Sequence, residues 1–95
     1  MLINKEFLTA NTEEELREQV VSQLRNNGCC VVSNADEAAE DIAYNSGREK
    51  EDIYIESEIE ETFAFDIGEE TFKVIVTAYY EDAGSNDYFY KVVVE

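Results

Sequence analysis

Along residues 53–67, apolar and polar side chains take turns. Ile53, Ile55, Ile59, Phe63, Phe65 and Ile67 hold odd positions, while Glu56, Glu58, Glu60 and Asp66 hold even ones. Period-two alternation predicts a β-strand buried on one side only. Same-face neighbours on a strand lie about 6.5–7 Å apart at ~3.3 Å per residue. The outer face is therefore expected to carry a row of carboxylates spaced much like phosphates along a nucleic-acid strand. Beyond a turn at Gly68 and Glu69, Phe72, Val74, Val76, Ala78 and Tyr80 continue the alternation. Pairing Phe65 with Phe72, Phe63 with Val74 and Ile59 with Ala78 keeps apolar residues on one face, the condition a hairpin register must meet. A second turn through Asp82, Ala83, Gly84, Ser85, Asn86 and Asp87 leads to a last strand, whose Tyr88, Tyr90, Val92 and Val94 extend the inner face. Glu61 breaks the pattern beside Val76; a bulge at Glu60 and Glu61, or a sheet edge beyond helix cover, would accommodate it.

Upstream the period changes. Leu16, Val20 and Leu24 recur every fourth residue with Val21 beside them, which predicts a helix over 12–27 with a narrow apolar stripe. Thr12 and Glu15 fit a capping box, Glu13 and Glu14 suit the positive end of the helix dipole, and Gly28 is placed to stop the helix. Asn34 with Glu37 marks a second helix, its face made of Ala35, Ala38, Ala39, Ile42 and Ala43, ending at Gly47. Between the helices, residues 29–32 can form only a brief strand or a buried connector. The segment before residue 9 reads as a short edge strand or an irregular lead-in packed on the core, and residues 48–52 as an exposed linker. The expected fold is α+β: one domain, with two N-terminal helices packed on one face of a three-stranded antiparallel meander. Residues 1–47 are mainly helical and 53–95 form the sheet.

Composition agrees with a folded chain. Leu, Ile, Val and Phe make up about 26 % of the residues, above the roughly 20 % below which charged chains stay disordered. Charge changes the picture more. Seven Lys and Arg face 23 Asp and Glu, a net charge of −16. Nucleic acid and anionic membrane are poor direct partners for such a surface, and a basic protein groove is a good one. The chain has 2 cysteines, adjacent at Cys29 and Cys30, and no histidine. That excludes the usual four-ligand zinc site and a disulfide-stapled scaffold, so a reducing cytoplasm is the expected compartment. No basic region followed by an apolar run opens the chain, and no apolar run reaches the ~18 residues of a membrane span.

Candidate chemistry is sparse. Without histidine the nucleophilic triads and the commonest general base are missing. Paired carboxylates can do acid–base work only in a cleft that raises one pKa, and so small a domain has little room for one. No enzyme, no cofactor and no metal site is expected. Asp82, Ser85, Asn86 and Asp87 bear oxygen ligands suited to calcium, but they lack the spacing of a calcium-binding hand and are also what tight turns use. Cys29 and Cys30 have only Arg25 nearby to lower a thiol pKa, which favours core packing over redox sensing. The acidic strand face remains. A solvated face ordinarily mixes Lys with Glu, since like charges opposite one another destabilise a sheet. Here Lys73 and Lys91 alone interrupt Glu56, Glu58, Glu60, Asp66, Glu81 and Glu95, and Tyr54, Ile75, Tyr79, Phe89 and Val93 share the face. Carboxylates interleaved with aromatics point to an interaction surface.

In size, pervasive acidity and lack of catalytic groups, the chain resembles the small phage-encoded inhibitors of bacterial defence, among them anti-CRISPR proteins and anti-restriction DNA mimics. The resemblance lies in composition and carries over no residue. It implies a protein of the bacterial host cytoplasm that occupies the basic channel of a nucleic-acid-handling complex, such as a CRISPR effector, and excludes DNA or RNA. The residues expected to meet that surface are Glu56, Glu58, Glu60 and Asp66, Glu69 and Glu70 at the adjoining turn, and Glu81. Tyr54 and Tyr79 are the expected anchors. The alternative is a small adaptor or assembly subunit, a monomer or weak homodimer, that binds a protein or itself through the free sheet edge. The 12–27 helix offers a third surface through Glu14 and Glu18.

Overall fold

A computed structural model describes residues 3–28, 30–81 and 88–95, with the side chains of Ser57 and Glu58 outside the description. Helix α1 spans Glu13–Asn26 and α2 spans Ala35–Ser46; the strands are β1 (Cys30–Val31), β2 (Ile55–Ile67), β3 (Glu70–Glu81) and β4 (Tyr88–Val94). The fold is α+β, as expected.

Both helices begin where their caps require. The Glu15 N–H donates to Thr12 Oγ1 at 3.1 Å, and the Glu15 carboxylate reaches back to the Asn11 N–H at 3.1 Å. At α2 the Glu37 N–H donates to Asn34 Oδ1 at 2.8 Å, and the Glu37 carboxylate takes the Ser33 N–H at 2.8 Å. Gly47 stops α2 at φ 70°, a left-handed conformation that a side chain would strain.

The lead-in to α1 is irregular. It buries Ile3, Leu8 and Ala10 and is held along the helix by paired amide contacts. Asn4 and Gln23 exchange two hydrogen bonds at 2.9 and 3.0 Å, and the Thr9 N–H donates to Gln19 Oε1 at 2.8 Å.

The sheet has four strands in the order β1-β4-β3-β2. The expected hairpin register is observed, with Phe65 opposite Phe72, Phe63 opposite Val74 and Ile59 opposite Ala78. The three-stranded meander is incomplete as a description, because β1 adds to β4 in parallel, Cys30 opposite Phe89 and Val31 opposite Tyr90. The turn expected over residues 82–87 lies outside the described residues.

The helices do not share a face. Leu16, Val20, Val21 and Leu24 of α1 pack with Val74, Val76, Ala78, Tyr90 and Val92. Ala38 and Ile42 of α2 pack with Val32 and Phe89, and against Tyr79. Ala78 and Tyr79 are adjacent on β3, as are Phe89 and Tyr90 on β4, so the two clusters lie on opposite sides of the sheet. The expectation of one covered face is corrected here. What it lacked was a place for α2: α1 and the lead-in take the side of Val74, Val76 and Ala78, and on the other side Ile53, Ile55, Tyr79 and Phe89 offer α2 an apolar patch.

A register shift between Ser57 and Ile59 makes this arrangement possible. Ile59 pairs with Ala78 and joins the α1 side, whereas Ile55 pairs with Glu81 and joins the α2 side. One extra residue in a strand inverts every side chain beyond it. The sequence pattern placed a bulge at Glu60 and Glu61; it lies earlier, between Ser57 and Ile59, and does not relieve Glu61. Glu61 keeps its position beside Val76 and is half-buried on β2, an edge strand.

The molecule is long. Its principal extents are 47 × 20 × 20 Å and its radius of gyration is 14.5 Å, against the ~12 Å of a rounder domain of this size. A helix of 14 residues spans about 21 Å at 1.5 Å per residue. A strand of 13 residues spans about 43 Å. Each helix therefore covers only part of its face, and the hairpin runs past both.

Candidate partner-binding surface

The expected row of carboxylates is divided by the bulge. Glu56 pairs with Tyr80 on the α1 side, and the Tyr80 hydroxyl donates to its carboxylate at 2.8 Å. Glu60 pairs with Thr77 and Asp66 with Thr71 on the α2 side, where both carboxylates are exposed. The Thr71 hydroxyl donates to Asp66 at 2.6 Å. The Glu58 side chain lies outside the described residues. Glu70, opposite Ile67, stands on the α1 side, and Glu69 is in the turn with Gly68. Both line an open groove with Asn11, Thr12 and Glu13 at the start of α1.

The two expected anchors separate as well. Tyr54 is 63 % exposed just before β2, whereas Tyr79 is half-buried against the α2 cluster. Phe89, expected on the open face, is buried beneath α2. Glu81 is held in an ion pair by Arg48, whose second nitrogen donates to the Asp52 carbonyl at 3.1 Å. Residues 48–52 are thus exposed, apart from the half-buried Lys50, yet tied down, and Lys50–Asp52 form a short 3-10 turn. Lys50 reaches Asp36 at 2.9 Å and Glu40 at 3.1 Å. The hydrogen bonds it donates to those two carboxylates hold its ammonium pKa above the ordinary lysine value.

The part of the α2-side face left open carries Glu60, Thr62, Ala64 and Asp66 from β2, Thr71, Lys73 and Ile75 from β3, and Lys91 and Val93 from β4. Its rows run Glu60–Thr77–Lys91, Thr62–Ile75–Val93 and Ala64–Lys73–Glu95. Each lysine thus shares a row with a glutamate, and the open face itself is close to balanced in charge. The acidity concentrates along β2 and at its two ends.

Some exposed groups escaped the sequence reading. Tyr44 on α2 is 89 % exposed, and its position two residues after buried Ile42 is the signal that it points outward. Tyr88 and Ile59 are exposed beyond the reach of α1, with the Tyr80 and Tyr88 rings 6.4 Å apart. Strand length against helix length was the clue there. Cys30, expected in the core, is exposed because β1 is an edge of only two residues; Cys29 lies outside the described residues. Among the described residues, no group of three His, Cys, Asp or Glu is placed to hold a metal, and no helix is long and apolar enough to cross a membrane. Compared with protein-family models, curated proteins and solved structures, the chain matches none.

Proposed function

We propose that this protein is an acidic, protein-binding inhibitor. It occupies the basic nucleic-acid-binding surface of a defence complex, such as a CRISPR effector, and keeps DNA or RNA out. Charge per unit length carries this reading. A net −16 along a 47 Å axis is about one charge per 2.9 Å. Duplex DNA carries one per ~1.7 Å and a single strand one per ~3.4 Å, so the protein falls between the two. Its rod-like form lets that charge enter a channel built for a polyanion, where counterion release rewards the exchange. The reading asks for no catalytic group and no cofactor.

The test is a pull-down from bacterial lysate with tagged protein, washed at rising salt. The expected result is a basic nucleic-acid-binding complex that leaves with salt and is displaced by duplex DNA. A partner that resists salt and has no nucleic-acid role would refute the proposal. It would favour a second reading, a small adaptor or assembly subunit that joins a protein through the outer edge of β2, which no strand among the described residues covers.

A further inference from the structure

The backbone of β2 is paired with β3 on one side, and on the other no strand among the described residues covers it. On β3, the Lys73 N–H donates to the Glu95 carbonyl at 3.1 Å and the Glu95 N–H donates to the Lys73 carbonyl at 2.9 Å. Lys73 thus spends both backbone groups on the β4 side. Its partner across the hairpin, Ala64, must then aim its own N–H and C=O away from β3. By the same alternation Glu60, Thr62 and Asp66 do likewise, and all four residues are exposed. They form a hydrogen-bonding edge about 20 Å long at ~3.4 Å per residue. Glu60 and Asp66 close its two ends, with Thr62 and Ala64 between them. On the α1 side the strand offers the half-buried Phe63 and Phe65.

We propose that the edge of β2 over residues 60–66 accepts an extended, basic segment of a partner protein as a fifth, antiparallel strand. This rests on the acidic-binder reading and gives that reading a partner chemistry: Lys or Arg six residues apart, opposite Glu60 and Asp66, with β-branched residues between. Such pairing would complete the open backbone ladder and set opposite charges across from each other at both ends. A second copy of the chain fits poorly. The antiparallel self-register that uses all four residues places Glu60 opposite the Asp66 of the other copy, and Asp66 opposite its Glu60. Both ends would then hold like charges, on two chains of −16 each.

The probe is the capped peptide Lys-Val-Thr-Ile-Thr-Val-Lys, titrated onto the full chain and followed by amide hydrogen exchange. At saturation, exchange at Glu60, Thr62, Ala64 and Asp66 should slow by about tenfold or more, as for amides newly hydrogen-bonded in a ladder. Slowing elsewhere, or none, would overturn the proposal. Ala64→Pro removes one outward N–H without touching the β2–β3 ladder, a substitution that edge strands tolerate. It should weaken peptide binding by about tenfold, while Ala64→Val should not. Equal binding by wild type and Ala64→Pro overturns strand addition and leaves the acidic-binder reading standing. Equal affinity for a peptide with Glu in place of both Lys overturns the charge requirement at this edge, whereas the acidic-binder reading falls only to a salt-resistant partner in the pull-down. The exchange result on wild-type protein stands even where Ala64→Pro is unstable.

Discussion

Deleting Glu58 tests what the bulge does. Ser57 pairs with Tyr79 and Ile59 with Ala78, consecutive residues of β3, so Glu58 is the extra residue of β2. Without it Ser57 and Ile59 follow one another in a regular ladder, with Ile55 still opposite Glu81 on the α2 side and Glu56 still opposite Tyr80. The deletion should therefore stay within about 1 kcal/mol of wild type. A slipped register would cost more. Ile53 and Ile55 are half-buried against the α2 cluster. A fully buried Ile is worth about 1.5–3 kcal/mol, so half of that for each comes to about 2 kcal/mol. The hydrogen bond from Tyr80 to Glu56 would add about 1 kcal/mol. A loss of about 3 kcal/mol is a large share of the roughly 5–14 kcal/mol expected of a chain this size. It corresponds to about 12–24 °C in Tm. Urea unfolding followed by far-UV circular dichroism would measure it, since the chain has no tryptophan to report. A deletion that loses about 3 kcal/mol would show that the pairs on either side of Glu58 do not hold their register without it, and would refute the reasoning.

Further outcomes follow from the caps, the clasp and the two cores. Thr12→Ala and Asn34→Ala should each lose about 1 kcal/mol in urea unfolding, the usual worth of an N-cap; no loss at either would mean the cap bond contributes nothing. Lys50→Met should lower the melting temperature at neutral pH. Because the folded-state pKa of Lys50 is raised above 10.5, its contribution is full below that pH and fades as pH climbs through the folded value, so wild type and variant should converge in alkali. A gap that persists there would assign the effect to something other than the ammonium. Leu16→Ala and Ile42→Ala empty opposite faces of the sheet. Each should cost about 2–5 kcal/mol, and the double variant should match their sum within about 0.5 kcal/mol. Strong non-additivity would mean the clusters communicate through the sheet.

Much of the fold could be read from local pattern. Thr12 with Glu15 and Asn34 with Glu37 start helices by bonds within four residues, and the Gly68 turn fixes the hairpin register by itself. What escaped was decided by long-range competition. The identities of Ser57, Glu58 and Ile59 do not mark a bulge; the bulge exists because Ile53 and Ile55 find their apolar partner in Ile42 and Phe89. Likewise Cys30 and Val31 show β propensity, but not that β4 would take them as a parallel neighbour. The candidate surface suffered from the same cause. Glu56 and Glu60 share a parity in sequence and lie on opposite faces in space, and Tyr79 passed from expected anchor to cover for α2. Glu60 and Asp66 stayed together because only regular strand separates them.

The place of β4 has a consequence for how the chain is made. It is the last element in sequence order, yet it lies inside the sheet, between β3 and β1, and receives side chains from α1. While a ribosome is still adding residues 70–87, α1 has no completed surface to dock on, and Cys30 waits for Phe89 across most of the chain. Loop closure over such a separation comes before the contacts that reward it, which slows folding for so small a domain. Until then the nascent polypeptide keeps Leu16, Val20 and Leu24 in water, while its acidic residues repel other copies of the chain.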